Sequence, residues 1–156
     1  MILFSQENDY QFIKYKLGTE LSQILENEDP PDMIDEKLNE YYYFNKIYEY
    51  FAIDYSYTFF IDYKYTFFEN KLINATLIFR IDNNILSIYN EIIHIIFKYD
   101  NIRFIYSKII ETNYLNFITV WIIEDNCIDL FMRITKDTDI ENNMLTITQS
   151  HYIPSY

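Results

Sequence analysis

The stretch IDYSYTFFIDYKYTFF, residues 53–68, most constrains the fold, because it is one octet written twice with changes only at Ser56 and Lys64. A repeat of eight is even, so it keeps every side chain on the same face of a β-strand, whereas in a helix it rotates the pattern by about 80°. One extended face carries only Ile, Tyr and Phe, which predicts a core layer. Sixteen residues at about 3.3 Å each exceed an ordinary strand, which predicts two strands or a strong bend near Ile61-Asp62.

Alternation of apolar and polar residues continues beyond this block. The segment 71–82 predicts a strand with these residues inward: Ile73, Ala75, Leu77, Phe79 and Ile81. Three later runs are also strand-like, at about 102–110, 115–123 and 127–135. Asp125-Asn126 predicts a tight hairpin between the last two of these runs. A short run around Leu145 and Ile147 predicts a final edge strand.

Helical spacing marks three other segments. The clearest covers about 85–99, where Ile85, Ile88, Tyr89, Ile92, Ile93 and Ile96 form one stripe. Asp29-Pro30-Pro31 predicts a helix start, followed on one face by Ile34, Leu38, Tyr41, Tyr48 and Phe51. An earlier helix would carry Tyr10, Ile13, Leu17, Leu21 and Ile24 on one face, although Gly18 lies in its middle. We therefore predict an α+β fold, with N-terminal helices and a mostly antiparallel sheet of about six to seven strands on which helix 85–99 packs.

The length of 156 residues predicts a single globular domain over 1–156. Within it we distinguish a helical acidic region over 1–52, a sheet-rich region over 53–150 and a loose tail over 151–156. The chain starts without a secretory signal, and none of its apolar stretches approaches the ~20 residues of a bilayer span, which predicts a cytoplasmic protein that does not bind membranes. Cys127 is the only cysteine, so no internal disulfide can form, and we expect this residue to be a small part of the core.

Few residues in this chain suggest catalysis. A single glycine excludes P-loops and dinucleotide-binding fingerprints, which need several. Glu91 and His94 lie one helical turn apart, a spacing compatible with metal binding, but no partner pair of ligands is evident. Cys127 lacks a surrounding nucleophile signature, and His151 falls in the predicted tail. We therefore expect a protein that is not an enzyme, with no catalytic residues, no metal and no cofactor, and with Cys127, His94 and Glu91 as the only catalytic candidates.

Charge argues against nucleic acid as a partner. The aromatic block could stack unpaired bases, but such platforms work beside a positive groove. The chain holds 24 acidic residues against 12 basic ones, for a net charge of -12. Repulsion from phosphates would oppose binding, so we expect no nucleic-acid partner.

Negative charge is concentrated in the first third of the chain. Residues 1–52 contain eleven acids and four lysines, and the stretch ENEDPPDMIDEKLNE precedes a row of aromatic residues. A solvated loop and polar helix face would explain this composition, and so would a docking surface for a basic protein with tyrosine anchors. Under the second interpretation we predict these partner-binding residues: Glu26, Glu28, Asp29, Asp32, Asp35, Glu36, Glu40, Tyr41, Tyr42 and Tyr43.

In size and composition the chain resembles bacterial immunity proteins and nuclease inhibitors. The resemblance implies an immunity or antitoxin-type inhibitor that neutralises a basic toxin, such as a nuclease domain, by protein–protein interaction. The alternative is a viral, phage or structural interaction module that acts through an aromatic surface or by homo-oligomerisation. A homodimer is therefore a second partner hypothesis.

Overall fold

The computed structural model describes residues 13–47, 60–79, 85–97, 102–123, 125–135 and 143–151. Within these ranges helix α1 spans Leu21–Asn27 and helix α2 spans Ile85–Ile96. The eight strands are β1 (Met33–Asp35), β2 (Glu40–Ile47), β3 (Phe60–Phe68), β4 (Lys71–Phe79), β5 (Ile102–Glu111), β6 (Tyr114–Ile123), β7 (Asn126–Thr135) and β8 (Met144–His151). Neither described helix is long and apolar enough to cross a membrane.

All eight strands form one antiparallel sheet in the order β1-β2-β3-β4-β8-β7-β6-β5. Two four-stranded meanders, β1 to β4 and β5 to β8, meet at their last strands in the centre of the sheet. The α+β class is confirmed, but the sheet has more strands than the six to seven predicted. The two edges differ greatly, since β1 has three residues and β5 has ten.

The core lies between the helices and one face of the sheet, which we call the inner face. Alternate residues of β3 project into it, and all four are buried: Ile61, Tyr63, Tyr65 and Phe67. The apolar stripe of α2 packs against the inner face with Ile88, Ile92 and Ile96, as predicted. Ile24 of α1 belongs to the same hydrophobic cluster. The predicted core layer is thus confirmed for the second octet, whereas residues 53–59 of the first octet lie outside the described ranges.

The helix predicted after Asp29-Pro30-Pro31 is wrong, because this segment forms the β1–β2 hairpin. Asn39, at φ 52°, supplies the left-handed residue in the connection. Consecutive aromatic residues favour a strand, in which neighbours point to opposite faces. Tyr43 is fully buried on the inner face while Phe44 is exposed.

The earlier predicted helix is also mostly wrong. Only α1 is helical, and residues 13–20 form an irregular segment in which Gly18 has φ 92°. The Gly18 N–H donates to the Leu72 carbonyl at 2.7 Å, and the Thr19 carbonyl accepts from the Leu72 N–H at 2.9 Å. The segment therefore pairs with the start of β4 instead of continuing α1 backwards.

The strands predicted near 71–82, 102–110, 115–123 and 127–135 are confirmed, as is the tight hairpin before β7. Strand β3 begins at Phe60, and the part of the first octet before it lies outside the described residues, so the break or bend predicted near Ile61-Asp62 stays a prediction. A bulge after Thr66 turns Leu72 inward and leaves Ile73 exposed, contrary to its predicted position.

Strand β8 was predicted at an edge, but it lies between β4 and β7. Leu145, Ile147 and Gln149 alternate along it and are buried on the inner face. A strand paired on both sides with a buried face belongs in the centre of a sheet. His151 is the last residue of β8 and not part of the tail, of which residues 152–156 lie outside the described ranges.

Candidate functional site

The seven carboxylates predicted to bind a partner lie between the last turn of α1 and the start of β2. The structure divides them by what they contact. Glu28, Asp32 and Glu40 each pair with a lysine. The Asp35 carboxylate accepts hydrogen bonds from the backbone N–H groups of residues 37 and 38, at 3.0 and 3.2 Å, and so stabilises the β1–β2 turn.

Glu28 is directed into the protein. Its carboxylate accepts hydrogen bonds from the hydroxyls of Tyr63 at 3.2 Å and Tyr65 at 3.5 Å, and lies 3.6 Å from Lys14 Nζ. Only 9% of its side chain is exposed. Glu28 thus links the end of α1 to β3 and offers little charge to a partner.

Asp32 joins the segment before β1 to strand β2. Its carboxylate accepts the Phe44 N–H at 2.8 Å and lies 3.7 Å from Lys46 Nζ. Both side chains of the ion pair are about one-third exposed, so the pair itself adds less than about 1 kcal/mol. The charge of Asp32 is partly compensated from within the chain.

Glu40 belongs to a polar cluster on the outer face of the sheet, the face opposite the helices. It accepts a short hydrogen bond from the Tyr42 hydroxyl and another from Lys64 Nζ at 3.0 Å. The Tyr42 hydrogen bond, together with Lys64, lowers the pKa of Glu40 below its usual 4.5 despite the opposing effect of burial. The same hydrogen bond raises the pKa of Tyr42 from 10.0 to about 12.

We predict that the Glu40 carboxylate stabilises the fold above about pH 4.5 and loses this contribution in acid. The sign follows because its folded-state pKa lies below the unfolded value, so protonation favours the unfolded chain. The Tyr42 hydroxyl has the opposite pH dependence, because its pKa is raised by folding. Its contribution to stability is complete below pH 10.0 and is lost as the pH rises to about 12. Thermal melts across this pH range should give Glu40→Gln a lower Tm than the wild type at pH 7, with a gap that narrows in acid. Glu36→Gln, which removes an exposed carboxylate, should follow the wild-type profile, and a Glu40→Gln gap that persists unchanged in strong acid would contradict the assignment.

Three carboxylates remain exposed and take part in no hydrogen bond or ion pair within the described residues: Glu26, Asp29 and Glu36. Large apolar side chains are exposed among them: Met33 at 47%, Ile34 at 48% and Leu38 at 58%. We call these six residues the acidic edge surface. The helical pattern had predicted Ile34 and Leu38 on one packed helix face, which is wrong because the hairpin turns both to solvent.

The three predicted tyrosines differ in accessibility. Tyr41 and Tyr42 are half-buried, and Tyr41 packs edge-on against Phe67 with ring centroids 5.3 Å apart. Tyr43 is fully buried and stacks on Tyr63 at 4.7 Å, and its burial raises the pKa of its hydroxyl to about 12. Tyr43 therefore has no exposed surface for a partner.

Cys127 lies apart from the other two catalytic candidates, Glu91 and His94, which share helix α2. Cys127 and its neighbour Asp129 lie on the outer face of β7, because Ile128 between them projects into the core. His94 is exposed on α2, which packs on the inner face. Groups of three or more metal-ligating side chains do not occur among the described residues.

The Cys127 thiol is expected to react slowly with thiol reagents. Burial, followed by the nearby Asp129 charge, raises its pKa from 9.0 to about 11, and its Sγ lies 3.8 Å from Asp129 Oδ1. At pH 8 this reduces the reactive thiolate by about 100-fold relative to an unperturbed thiol. Reaction with a chromogenic disulfide should be several-fold faster in Asp129→Asn and unchanged in Asp125→Asn, whose carboxylate lies in the exposed hairpin. Equal rates for Asp129→Asn and the wild type would refute the role of Asp129.

The part of the site that is accessible is therefore smaller and more apolar than the predicted set. It combines carboxylates that lack partners inside the described chain with apolar side chains in contact with water, at one edge of the sheet. Comparison of the chain with protein-family models, curated proteins and solved structures found no match in any of the three.

Proposed function

We propose that the protein is a non-catalytic immunity or antitoxin-type inhibitor, which binds and neutralises a basic toxin such as a nuclease through the acidic edge surface. The observation that supports this proposal is the mixture of exposed carboxylates and exposed apolar side chains on and around strand β1. Charge and apolar area together are what a protein-binding patch requires.

The charge of this region supplies long-range attraction. Residues 20–40 contain eight acids and one base, Lys37. Three of these acids pair with lysines from other parts of the chain, and the other acids still outnumber Lys37. With a net charge of -12 the whole molecule adds to the same field. Such a field increases the association rate with a cationic protein by roughly 10- to 10³-fold.

The apolar side chains supply short-range stabilisation. Met33, Ile34 and Leu38 would lose water on binding, and desolvated anchors of this kind carry most of the energy of an interface. Among the described strands, β1 is also the outermost on its side of the sheet, so its outer backbone groups can accept a strand from a partner. A toxin that binds nucleic acid exposes lysines and arginines at its active cleft, which Glu26, Asp29 and Glu36 would neutralise.

The proposal is tested with the partner captured from a lysate of the native host and identified by mass spectrometry. It should be basic, and co-expression of this chain should suppress its toxicity. In stopped-flow measurements at low salt, Glu26→Lys/Glu36→Lys should lower the association rate by roughly tenfold, the lower end of the effect of the whole field, because most of the net charge of -12 remains. Rising salt should slow wild-type association in the same way.

A matched control reverses one exposed acid in the β6–β7 hairpin, Asp125→Lys, and is compared with the single reversal Glu36→Lys, which changes the net charge equally. Its association rate should remain close to that of the wild type. An equal fall in both variants would show that only the total charge matters. A captured partner that is neutral or acidic, or an association rate independent of salt, would refute the proposal.

A further inference from the structure

Arg133 on strand β7 carries a positive charge that is not neutralised by any carboxylate in the described part of the chain. It pairs with Asn116 in the register of β6 and β7, on the outer face of the sheet. Arg133 takes part in none of the ion pairs among the described residues, although the chain has two acids for every base. An arginine left unpaired in so acidic a protein can bind an anion from outside the chain.

Two aromatic rings and one buried amide fix the Arg133 side chain. The carbon of its guanidinium lies 5.0 Å from the ring centroid of Tyr114 and 5.6 Å from that of Phe131. Its Nε donates to Asn116 Oδ1 at 3.4 Å, and Asn116 Nδ2 donates in turn to the Ile110 carbonyl at 3.2 Å. Asn116 is only 9% exposed, so the sheet holds this amide in place, and the amide orients the guanidinium.

This orientation leaves one end of the guanidinium for a ligand. With Nε directed to Asn116, the two Nη groups have no hydrogen-bond partner within the ranges that the structure describes. They offer parallel N–H donors in the planar geometry that matches a carboxylate or phosphate group. Arg133 is half-buried, and reduced contact with water strengthens an ion pair at this position. Because the side chain is already fixed, a ligand does not lose affinity by ordering it.

The outer face around Arg133 is locally positive. In the described strands β5, β6 and β7 this face carries three bases and one acid: Arg103, Lys108, Arg133 and Asp129. Asp129 is four residues from Arg133 along β7, about 13 Å in an extended strand. Strand β1 of the acidic edge surface lies five strand spacings away, about 24 Å. Since salt at physiological strength screens charges beyond about 8 Å, the net charge of -12 does not exclude an anion here.

We propose that Arg133 is the centre of a binding site for a small ligand that carries a carboxylate or phosphate group. The Nη pair holds two oxygens of the anion, and the rings of Tyr114 and Phe131 contact the part of the ligand next to it. Lys108, exposed on the same face, adds attraction at longer range. One fixed guanidinium favours a small anion over nucleic acid, whose backbone requires a row of bases. The site belongs to the second meander and does not depend on the inhibitor proposal.

The first test is a titration of the full isotope-labelled chain, followed in the side-chain N–H spectrum of its three arginines: Arg80, Arg103 and Arg133. Inorganic phosphate and acetate are the probes, and sodium chloride at equal ionic strength is the control. The Arg133 Nε signal should shift and saturate with at least one probe at roughly millimolar concentration, while the Arg103 signal stays in place. Tighter binding of phosphate or of acetate identifies which of the two groups the ligand carries, and either result supports the site.

The second test separates recognition by the guanidinium from general attraction. Arg133→Lys keeps the charge but loses the planar pair of donors, so the dissociation constant should rise at least about fivefold. The matched variant Lys108→Gln removes a charge from the same face and should raise it less than about twofold, because Lys108 does not contact the anion. Circular dichroism spectra should show both variants folded like the wild type.

Equal shifts of Arg103 and Arg133 that do not saturate would overturn the proposal. So would an Arg133→Lys variant that binds the probe as tightly as the wild type, or a larger loss in Lys108→Gln than in Arg133→Lys. Arg133→Lys leaves the acidic edge surface unchanged, so it should capture a basic partner as the wild type does. Failure of this site is therefore distinct from failure of the inhibitor proposal.

Discussion

Replacing Tyr65 with alanine is expected to lower the free energy of unfolding by about 3–5 kcal/mol, the largest effect of any single substitution considered. Tyr65 is fully buried at the centre of β3. Its ring contacts those of Tyr15, Tyr43 and Tyr63, with centroids 5.7, 5.8 and 5.5 Å away. Truncation leaves a cavity that these rigid rings cannot fill. Because a domain of this size is stable by about 5–15 kcal/mol, a large fraction of the variant should unfold at moderate urea concentrations.

The matched control for this prediction is Phe68→Ala on the same strand. Phe68 projects from the outer face and is exposed, so its removal should change the free energy of unfolding by less than about 0.5 kcal/mol. Urea melts followed by far-ultraviolet circular dichroism measure both variants. Similar midpoints for the two would mean that the tyrosine cluster is not part of the core.

Replacing Glu28 with alanine is expected to cost about 2–3 kcal/mol, the second largest effect. Glu28 was predicted to bind a partner, but its carboxylate accepts the hydroxyls of Tyr63 and Tyr65. Removing it leaves these hydroxyls without that acceptor in a buried environment, and also removes the contact with Lys14. The lysine contributes little, since its side chain is 43% exposed.

Glu26→Ala is the appropriate comparison, because Glu26 lies in the last turn of α1, two residues before Glu28, and is exposed. We expect its stability to match that of the wild type within about 0.5 kcal/mol. For binding, the inhibitor proposal predicts the opposite order of effects. Replacing Glu26 should lower the association rate directly, whereas replacing Glu28 should lower it only by destabilising the fold. A Glu28→Ala variant as stable as the wild type would contradict the structural role of this carboxylate.

The strands were predictable from sequence where one face is buried and the other is exposed to solvent. The second octet, 61–68, shows the period of two directly, and α2 shows the helical period as clearly. The β1–β2 hairpin was missed because Ile34, Leu38 and Tyr41 satisfy helical spacing by coincidence. What decided against a helix was the burial of Tyr43 against Tyr63, a contact between residues twenty apart that no local pattern contains.

The candidate site was predictable as a concentration of acids, but not in its detail. The lysines that compensate Glu28, Asp32 and Glu40 are Lys14, Lys46 and Lys64, and they reach these carboxylates only through the fold. The exposure of Leu38 likewise depends on the turn at Asn39. Sequence composition predicts where charge is abundant, whereas strand pairing determines which charges are left accessible.

The position of β8 has a consequence for how the chain folds during synthesis. This strand is the last of the described strands to be made, yet it must insert between β4 and β7. Residues 80–143 separate β4 from β8, and at ordinary rates of translation their synthesis takes roughly 3–13 s. Until then β4 cannot pair with β8, its neighbour in the sheet. During that interval the nascent first meander exposes Leu77 and Phe79 beside an unpaired backbone. Folding of this protein is therefore expected to be slow and non-local, with its greatest exposure to aggregation in the interval before β8 is made.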